Sequence, residues 1–343
     1  MADFDPSALA SFLDGCFGAA GMRLERIGGG QSNPTYFVDH GARRLVLRKK
    51  PAGPILRGAH AVDREYRVLS ALASTDVPVP RPVLFHEADQ PLGTPFYLME
   101  RLEGRVFHDC ALPDLAREER RAIYLGMAEA MAKLHAVRPE DVGLGDYGRP
   151  GNYFERQIGR WTKQLRDSTS DPVPALEALA EWLPRHLPSD DGQVAIAHGD
   201  FRLGNLLFHP RKPEVIGILD WELSTLGHPL ADLGFCAIPW HTAPDEYGGI
   251  LGLDLAGLGI PREREFLDHY YAHAVPTAQM QPFHLAFALF RFAVIFVGIA
   301  DRARAGNAAG ENAEAIAPLA RRFAARALET IEHGGHEMFD RRL

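Results

Sequence analysis

One stretch of the chain carries the residue types that phosphoryl transfer from ATP requires. Residues 198–205 read His-Gly-Asp-Phe-Arg-Leu-Gly-Asn, so the carboxylate of Asp200 and the carboxamide of Asn205 stand five positions apart. A second carboxylate, Asp220, ends a later apolar run and precedes Trp-Glu. Phosphoryl transfer needs a base that accepts the hydroxyl proton, and oxygen ligands for magnesium ions on the phosphates. The pattern predicts Asp200 as the base and Asn205 and Asp220 as Mg²⁺ ligands.

These residues match known kinase motifs. His198, Asp200 and Asn205 fit the protein-kinase pattern H-R-D-x-x-x-x-N, with glycine in place of arginine, and Asp220 stands where Asp-Phe-Gly begins. The chain resembles the aminoglycoside phosphotransferase family, small-molecule kinases whose pattern of His-Gly-Asp, four residues, Asn and a later Asp-Trp/Phe is present in full. More closely, it resembles the phosphotransferase domain fused to, or encoded beside, acyl-CoA dehydrogenases. The likeness extends over nearly the whole chain and implies a functional link to such a dehydrogenase.

The elements that position these residues follow from the resemblance and from local patterns. The resemblance implies an α+β, bilobal, protein-kinase-like fold. Its N-lobe, 1–103, binds the nucleotide with a five-stranded antiparallel sheet and helices; its mainly α-helical C-lobe, 104–343, holds the catalytic loop and the acceptor pocket. Alternating apolar residues predict strands at 23–27, 35–38, 45–47, 83–85 and 96–100. Helical periodicity predicts helices at 60–73, 113–137, 172–187, 263–273, 282–300 and 312–333.

A glycine-rich segment, Gly-Gly-Gly-Gln-Ser-Asn at 28–33, follows the first expected strand. Glycines let backbone N–H groups approach phosphate oxygens, so Gly29 and Gly30 are candidate phosphate ligands, and Ser32 and Asn33 can add donors. A glycine run is also an ordinary hairpin turn. The presence of Asp200 downstream favours phosphate binding. No Walker A lysine follows, so the segment is not a P-loop.

A cation on the third strand completes the predicted phosphate site. In protein kinases a strand lysine holds the α- and β-phosphates and pairs with a helix glutamate. Strand alternation places Arg48 on the face of Val46, so Arg48 takes this position and Glu65 is its expected partner. Lys49 takes the position instead if the register shifts by one residue. Arginine is common here in the resembled family and offers a bidentate fork to phosphate or carboxylate.

Further roles come from the resemblance. Met-Glu-Arg-Leu at 99–102 resembles the kinase hinge, so the backbone around Glu100 and Leu102 is expected to read the adenine edge. Arg202 lies two residues beyond the base and is expected to stabilise the transferring phosphoryl group. Asp232 is expected to brace the backbone of the catalytic loop, and His198 to support it by hydrogen bonding.

The acceptor is open at this level. Aminoglycosides are polycations and need a strongly acidic pocket. The expected acceptor region offers instead Arg156, Arg160, Trp161, Trp240 and Arg291. Exposed aromatic residues beside arginines suit an anionic acceptor, although ordinary packing explains them equally well. Together with the closer resemblance, this set favours a hydroxyacyl-CoA or a related hydroxy acid, and an aminoglycoside kinase is the alternative.

Other classes of protein fit less well. A catalytically silent, nucleotide-binding pseudokinase would lack one of Asp200, Asn205 or Asp220, and all three are present. A metal-dependent phosphohydrolase needs several clustered ligands, usually including histidines, and leaves the glycine segment unexplained. A protein kinase is disfavoured because no Ala-Pro-Glu segment follows Asp220.

The bulk composition agrees with this interpretation. The 343 residues are 46% hydrophobic, which suffices for a large core, and the formal charge of −8 argues against a nucleic-acid partner. The first residues lack the basic region and apolar run of a signal peptide, and the three cysteines form no CxxC pair. We therefore expect a cytoplasmic location. His284 and Arg291 interrupt the apolar segment 283–300, which predicts a buried helix and no membrane span.

Overall fold

The computed structural model describes residues 3–28, 33–51, 61–149, 151–304 and 313–333. Within these ranges the helices are α1 Pro6–Phe17, α2 Val62–Leu72, α3 Arg117–Ala136, α4 Tyr153–Arg166, α5 Pro174–Arg185, α6 Pro229–Cys236, α7 Leu255–Leu258, α8 Glu263–His273, α9 Pro282–Arg304 and α10 Ala313–His333. The strands are β1 Met22–Arg26, β2 Thr35–His40, β3 Arg43–Lys49, β4 Pro82–His86, β5 Phe96–Glu100, β6 Ala195–Ala197, β7 Leu206–Phe208, β8 Val215–Ile218 and β9 Thr225–Gly227.

The chain forms two compact units. The first contains Met1–Arg105 together with Leu207–Pro210 and Ile216–Leu223, and the second contains the remaining residues. A single cut at residue 103 assigns those two later segments to the second domain, whereas the structure groups them with the first unit. Because of this grouping, Asp220 belongs to the first unit, and Asp200 and Asn205 belong to the second.

The first unit is built on a five-stranded antiparallel sheet with the order β1-β2-β3-β5-β4. One face of the sheet is covered by α1, whose Leu9 and Leu13 pack in a buried cluster with Leu45 and Leu47 of β3. Asp5 caps α1 by accepting a hydrogen bond from the Ser7 amide, 2.9 Å long. The five-stranded antiparallel sheet predicted for the N-lobe is confirmed.

Alternation along β3 sends neighbouring side chains to opposite faces of this sheet. Leu47 and Lys49 share the face that packs on α1, and the Lys49 ammonium lies 2.8 Å from Asp3 Oδ2. Arg48 points to the other face, where it meets Glu65 of α2. The structure therefore places Arg48, and not Lys49, beside the helix glutamate.

The second unit is mainly helical, and α9 runs through its core. This helix packs against α4, α5, α6 and α10, while α3 packs against α8. Within this unit β6 pairs antiparallel with β9, whereas β7 pairs with β8 in segments that lie mainly in the first unit. The predicted α+β class with a mainly helical second part is confirmed.

The apolar helix α9 was the one segment whose sequence raised the question of a membrane. Among the described residues, Pro282–Arg302 is the one stretch long and apolar enough to span a bilayer, and 78% of its most apolar window is buried inside the protein. Leu285, Leu289 and Ala293 of this helix have no exposed surface. The predicted buried helix is confirmed.

Candidate active site

The backbone that carries Asp200 is anchored by a buried carboxylate. Asp232 lies in the first turn of α6, and its side chain is 1% exposed. Its oxygens accept hydrogen bonds from the backbone amides of His198 at 2.6 Å and Gly199 at 2.8 Å. Gly199 has a φ of +83°, a left-handed conformation that glycine adopts without a steric penalty. Asp232 thus fixes the backbone turn that precedes Asp200, and its predicted role of bracing this loop is confirmed.

A histidine and a tyrosine support this carboxylate in turn. The Nε2 atom of His135 in α3 lies 3.3 Å from Asp232 Oδ2, and its Nδ1 atom lies 2.8 Å from the Tyr270 hydroxyl in α8. Burial opposes the charge on Asp232, but the hydrogen bond from His135 and those from the loop amides hold the pKa of Asp232 below its ordinary value. Asp232 is therefore a buried, ionised anchor.

Asp200 is oriented through one of its two carboxylate oxygens. The Asn205 side-chain amide donates to the Asp200 carbonyl oxygen at 2.8 Å and to Oδ2 at 2.7 Å. The Asp200 amide donates to His198 Nδ1 at 3.1 Å, the supporting contact expected of His198. Among the described residues, no group donates a hydrogen bond to Asp200 Oδ1. That oxygen is available to accept a proton, and the Asn205 oxygen is available to a cation.

Arg202 lies close to Asp200. Its Nε atom is 3.4 Å from Asp200 Oδ2, and its side chain is 37% exposed. The guanidinium passes directly over Gly204, where an added Cβ would approach Arg202 Nη1 to 2.8 Å. Glycine at this position therefore leaves room for the arginine. This placement keeps a cation beside the carboxylate, although its predicted role toward a phosphoryl group stays a prediction.

In the first unit, Arg48 is the centre of a buried charge cluster. Its Nε atom lies 2.8 Å from Glu65 Oε2, although the N–H is not aligned for a hydrogen bond, and its Nη2 atom donates to Asp220 Oδ1 at 2.7 Å. Glu222 Oε2 lies 3.7 Å from the same Nη2 atom. Two further groups donate to Glu65: Asn33 Nδ2 at 2.6 Å and the Tyr97 hydroxyl at 3.0 Å. The expected pair of Arg48 and Glu65 is present.

The charges in this cluster stabilise one another. Burial raises the pKa of Glu65 above its ordinary value, although Arg48 opposes that shift. Burial alone would lower the pKa of Arg48, but attraction to Glu65 and Asp220 raises it. The arginine therefore stays charged.

Asp220 has an unusual backbone conformation. Its φ is +65°, in the left-handed region that residues other than glycine rarely occupy. The next residue, Trp221, is buried, and its indole nitrogen donates to the Ile218 carbonyl oxygen at 2.9 Å. The buried indole thus secures the turn in which the carboxylate of Asp220 meets Arg48. Strained backbone of this kind is concentrated at functional sites.

The remaining predicted nucleotide-binding residues have mixed outcomes. Gly29, Gly30 and Ser32 lie outside the described residues. The Asn33 side chain is directed to Glu65 and is buried, so it serves the charge cluster, and its role toward phosphate stays a prediction.

The hinge segment lies at the end of β5. The Glu100 carboxylate accepts a hydrogen bond from the Arg81 amide at 3.0 Å. The Leu102 amide has no hydrogen-bond partner among the described residues, whereas the Arg101 amide before it donates to the Arg44 carbonyl oxygen. A backbone amide without a partner among the described residues can donate a hydrogen bond to a ring nitrogen of adenine.

The structure corrects part of the expected acceptor pocket. Trp161 and Trp240 are buried packing residues, and the Trp240 indole donates to the Pro261 carbonyl oxygen at 3.0 Å. Arg291 is 5% exposed and donates to the Gly199 carbonyl oxygen, so it braces the catalytic loop. Of the expected set, Arg160 is exposed and Arg156 is partly buried. Both tryptophans are therefore buried, and the Trp161 indole nitrogen has no hydrogen-bond partner among the described residues.

Three supporting residues escaped prediction: His135, Tyr270 and Tyr97. His135 and Tyr97 are buried groups that contact a carboxylate distant in sequence, and the buried Tyr270 hydroxyl contacts the His135 ring. A signal did exist for Arg291, because a charged residue inside an apolar helix needs a buried partner. The two tyrosines and the histidine carry no such signal in their own helices or strand.

A sequence model described as the phosphotransferase enzyme family matches residues 23–259, more than half of the chain. The chain belongs to this family. Within the family it is a small-molecule phosphotransferase, as the catalytic-loop motif predicted, and the resemblance stated from that motif is confirmed.

Relatives with known names fall into two groups. Acyl-CoA dehydrogenase family member 10 of Mus musculus is 39% identical over 339 residues, which is 97% of this chain and 32% of that protein. The chain spans between 32% and 43% of the length of the first curated relatives it matches. A solved structure from Ralstonia eutropha, provisionally named an aminoglycoside phosphotransferase, is 42% identical with a TM-score of 0.87, covering 96% of this chain and 98% of that chain.

A more distant structure shows the fold alone. An aminoglycoside phosphotransferase in ternary complex with AMP-PNP and hygromycin B is 15% identical with a TM-score of 0.62, covering 94% of this chain and 98% of that chain. The kinase-like fold predicted from the sequence is confirmed.

The buried ion pair in the first unit generates a stability prediction. Replacing Arg48 with Met leaves Glu65 buried without its counter-charge, so the free energy of unfolding should fall by about 3–5 kcal/mol. Glu65→Gln added to Arg48→Met should recover part of that loss. Urea unfolding followed by circular dichroism measures Arg48→Met, Glu65→Gln, the double variant and the wild type.

The matched control for this cycle is Lys49→Met on the opposite face of the same strand. Its partner Asp3 has a side chain that is 33% exposed, so water can replace the lost ammonium and the loss should be smaller. Equal losses in Arg48→Met and Lys49→Met, or simple additivity in the double variant, would contradict the buried pair.

The lowered pKa of Asp232 predicts a pH-dependent effect. A carboxylate whose pKa is depressed on folding contributes stability above its unfolded pKa, ordinarily 3.8, and loses that contribution as the pH falls through its folded pKa. Asp232→Asn should therefore lower the free energy of unfolding by about 3–5 kcal/mol near neutral pH, and by less at about pH 3. Denaturant unfolding at both pH values tests this; Asp200→Asn, a partly exposed site in the same loop, serves as control. A pH-independent difference for Asp232→Asn would refute the assignment.

Proposed function

We propose that this phosphotransferase uses ATP and Mg²⁺ to phosphorylate a hydroxyl group of a small anionic molecule, such as a hydroxyacyl-CoA or its free hydroxy acid. The observation that carries the proposal is the state of Asp200. One of its carboxylate oxygens is held by Asn205 and Arg202, and the other accepts no hydrogen bond from the described residues. A positioned carboxylate with one open oxygen suits a catalytic base.

The proposed chemistry moves one proton and one phosphoryl group. Asp200 Oδ1 accepts the proton of the acceptor hydroxyl, whose oxygen forms a bond to the γ-phosphorus while the bond from that phosphorus to the β–γ bridging oxygen breaks, which releases ADP. The transition state is loose, so orientation matters more than basicity. Arg202 supplies positive charge beside the base, where negative charge gathers on the transferred oxygens.

The donor groups fit a magnesium ion. Mg²⁺ prefers carboxylate, carbonyl and phosphate oxygens, and its role when bound is to neutralise charge on the β- and γ-phosphates. The Asn205 nitrogen is used by Asp200, which leaves the amide oxygen as a ligand. Asp220 is 35% exposed, and one of its oxygens is engaged by Arg48. We propose that Asn205 of the second unit and Asp220 of the first unit can each supply an oxygen ligand to Mg²⁺.

Nucleotide binding is supported by the first unit. Arg48 is charged and pre-oriented by Glu65, so its fork can bind the α- and β-phosphates. The unpaired Leu102 amide can donate to the adenine ring, and the glycine segment at 28–33 can surround the phosphates. The distant structure solved with AMP-PNP supports ATP as the donor.

The choice of an anionic acceptor rests on the acyl-CoA dehydrogenase relatives and on surface arginine. The relatives that cover nearly all of this chain are named as acyl-CoA dehydrogenases, so a substrate handled beside that activity carries an acyl-CoA or carboxylate group. Arg160 is exposed on α4 and Arg156 is partly exposed, and both can bind an anion. We also propose a functional link to an acyl-CoA dehydrogenase. The provisionally named Ralstonia homologue makes aminoglycosides the second candidate class.

Two substitutions should separate chemistry from binding. Asp200→Ala should lower turnover by at least about 10²-fold, because the proton acceptor is lost, with ATP affinity nearly unchanged. Asp220→Ala should in addition weaken Mg²⁺-dependent nucleotide binding, because a metal ligand is lost. Steady-state kinetics and calorimetric titration with AMP-PNP and Mg²⁺ measure the two effects. Near wild-type turnover in Asp200→Ala would rule it out as the base.

The acceptor class is tested by screening ATP consumption with Mg²⁺. One panel contains hydroxyacyl-CoAs and their free hydroxy acids, and the other contains aminoglycosides. We expect turnover with the first panel that disappears in Asp200→Ala. Turnover with aminoglycosides alone would replace the acceptor assignment, and nucleotide binding without turnover on either panel would favour a pseudokinase.

A further inference from the structure

A cluster of metal-ligating side chains lies on the second unit among residues that the proposed reaction does not use. It contains Glu129 of α3 with His269 and His273 of α8, and one ligand atom of each lies within 4.8 Å of the others. His269 Nε2 lies 2.8 Å from Glu129 Oε1. Glu129 and His269 are half-buried, and His273 is exposed, so an ion from solution can reach all three.

The helix geometry brings the two histidines together. Residues four apart on a helix lie on one face, about 5–6 Å apart at Cβ. The ring centroids of His269 and His273 are 4.4 Å apart with an interplanar angle of 45°, so the rings are not stacked flat. Glu129 adds a carboxylate from the neighbouring helix. Two imidazoles and one carboxylate converge as three donors.

A backbone hydrogen bond prepares one imidazole for metal binding. His273 Nδ1 lies 2.8 Å from the His269 carbonyl oxygen. Because a carbonyl only accepts, Nδ1 carries the proton and the Nε2 lone pair is left for a ligand. A hydrogen bond from the second ring nitrogen to a carbonyl is the usual support of metal-bound histidine.

The helices that supply the donors are cross-linked on both sides of the cluster. Arg121 of α3 forms an ion pair with Glu265 of α8 at 3.1 Å. Nearer the C-terminal end of α3, His135 Nδ1 lies 2.8 Å from the hydroxyl of Tyr270. Tyr270 follows His269 directly in α8. The donors are therefore presented by two helices already fixed against each other, which reduces the reorganisation needed for binding.

We propose that Glu129, His269 and His273 bind a divalent transition-metal ion of the zinc type. Neighbouring ligand atoms of a tetrahedral zinc ion lie about 3.4 Å apart, given zinc–nitrogen bonds of about 2.0–2.1 Å. The closest contact in the cluster is 2.8 Å and all ligand atoms lie within 4.8 Å, so small side-chain rotations reach that spacing. The ion replaces the contact between His269 and Glu129, and water fills the fourth position.

This site differs in chemistry from the proposed magnesium site. Imidazole nitrogen suits zinc, nickel and copper, whereas Mg²⁺ prefers oxygen ligands such as those of Asn205 and Asp220. A bound zinc ion also links α3 to α8, so it should raise the thermal stability of the protein through mass action on the folded state.

Zinc titration of the full chain tests the proposal. Protein stripped with a chelator and dialysed is titrated calorimetrically with Zn²⁺ in excess Mg²⁺. We expect the cluster to bind one Zn²⁺ ion per chain, and we expect this binding to raise the Tm of the protein. His269→Ala and His273→Ala should each weaken binding at least about tenfold, as should Glu129→Gln, which keeps the shape of the side chain.

His186 provides the matched control. Its Nδ1 atom also lies 2.8 Å from a backbone carbonyl oxygen four residues earlier, but that residue is Trp182 and not a histidine. His186→Ala should leave zinc affinity and the Tm increase unchanged. The proposal is overturned if the wild type shows no saturable zinc binding, or if binding persists in the His269→Ala/His273→Ala double variant. Loss of binding in Asp220→Asn instead would assign the ion to the nucleotide site.

Discussion

Two successive backbone amides that donate to the buried carboxylate of Asp232 are the constraint on which the catalytic segment depends. A buried charge is stable only where fixed dipoles replace water, and here the loop itself supplies two of them. The turn at Gly199 then sets the direction of the backbone at Asp200. Arg291 donates a hydrogen bond to the Gly199 carbonyl oxygen and so holds the same turn. The backbone position of Asp200 thus follows from an anion–amide interaction that involves none of its own side-chain atoms.

The first unit solves the same electrostatic problem with an ion pair. Glu65 is almost fully buried, and Arg48, Asn33 and Tyr97 together satisfy its two oxygens. Buried ion pairs contribute little net free energy to folding, but removal of one partner lowers the free energy of unfolding strongly because the other charge is left buried and unpaired. Their use is geometric: Arg48 is held in one orientation and contacts Asp220 with its Nη2 nitrogen. In both units, a buried carboxylate sets the position of a residue with a proposed role in the reaction.

Local patterns predicted more of this structure than distant contacts did. Strand alternation favoured Arg48, the kinase resemblance supplied Glu65 as its partner, and the burial of α9 followed from its apolar run. Of the residues expected near the acceptor, Trp161, Trp240 and Arg291 are buried, because the packing of the whole unit decides which side chains face the core. The bond between His135 and Tyr270 joins residues 135 positions apart, and no periodicity reports such a contact.

The left-handed backbone conformation of Asp220 could not be predicted either, because a single residue in this conformation produces no repeating pattern in the sequence. The glycine segment, in contrast, was found from the run of glycines in the sequence, and its residues 29–32 lie outside the described residues. Motif spacing thus predicted the residues of the candidate site, while their supporting contacts needed coordinates. Whether each residue plays its predicted catalytic role is decided by the variants and not by geometry.

The adjacent cations of β3 have a consequence for strand registry. Leu45, Val46 and Leu47 are all buried, so both faces of the strand are apolar and hydrophobic alternation does not distinguish one register from its neighbour. Arg48 and Lys49 do distinguish them, because their carboxylate partners lie on opposite faces. A slip by one residue would turn each cation away from its own carboxylate. The two ion pairs of Arg48 and Lys49 therefore favour a single register of the central strand over registers shifted by one residue.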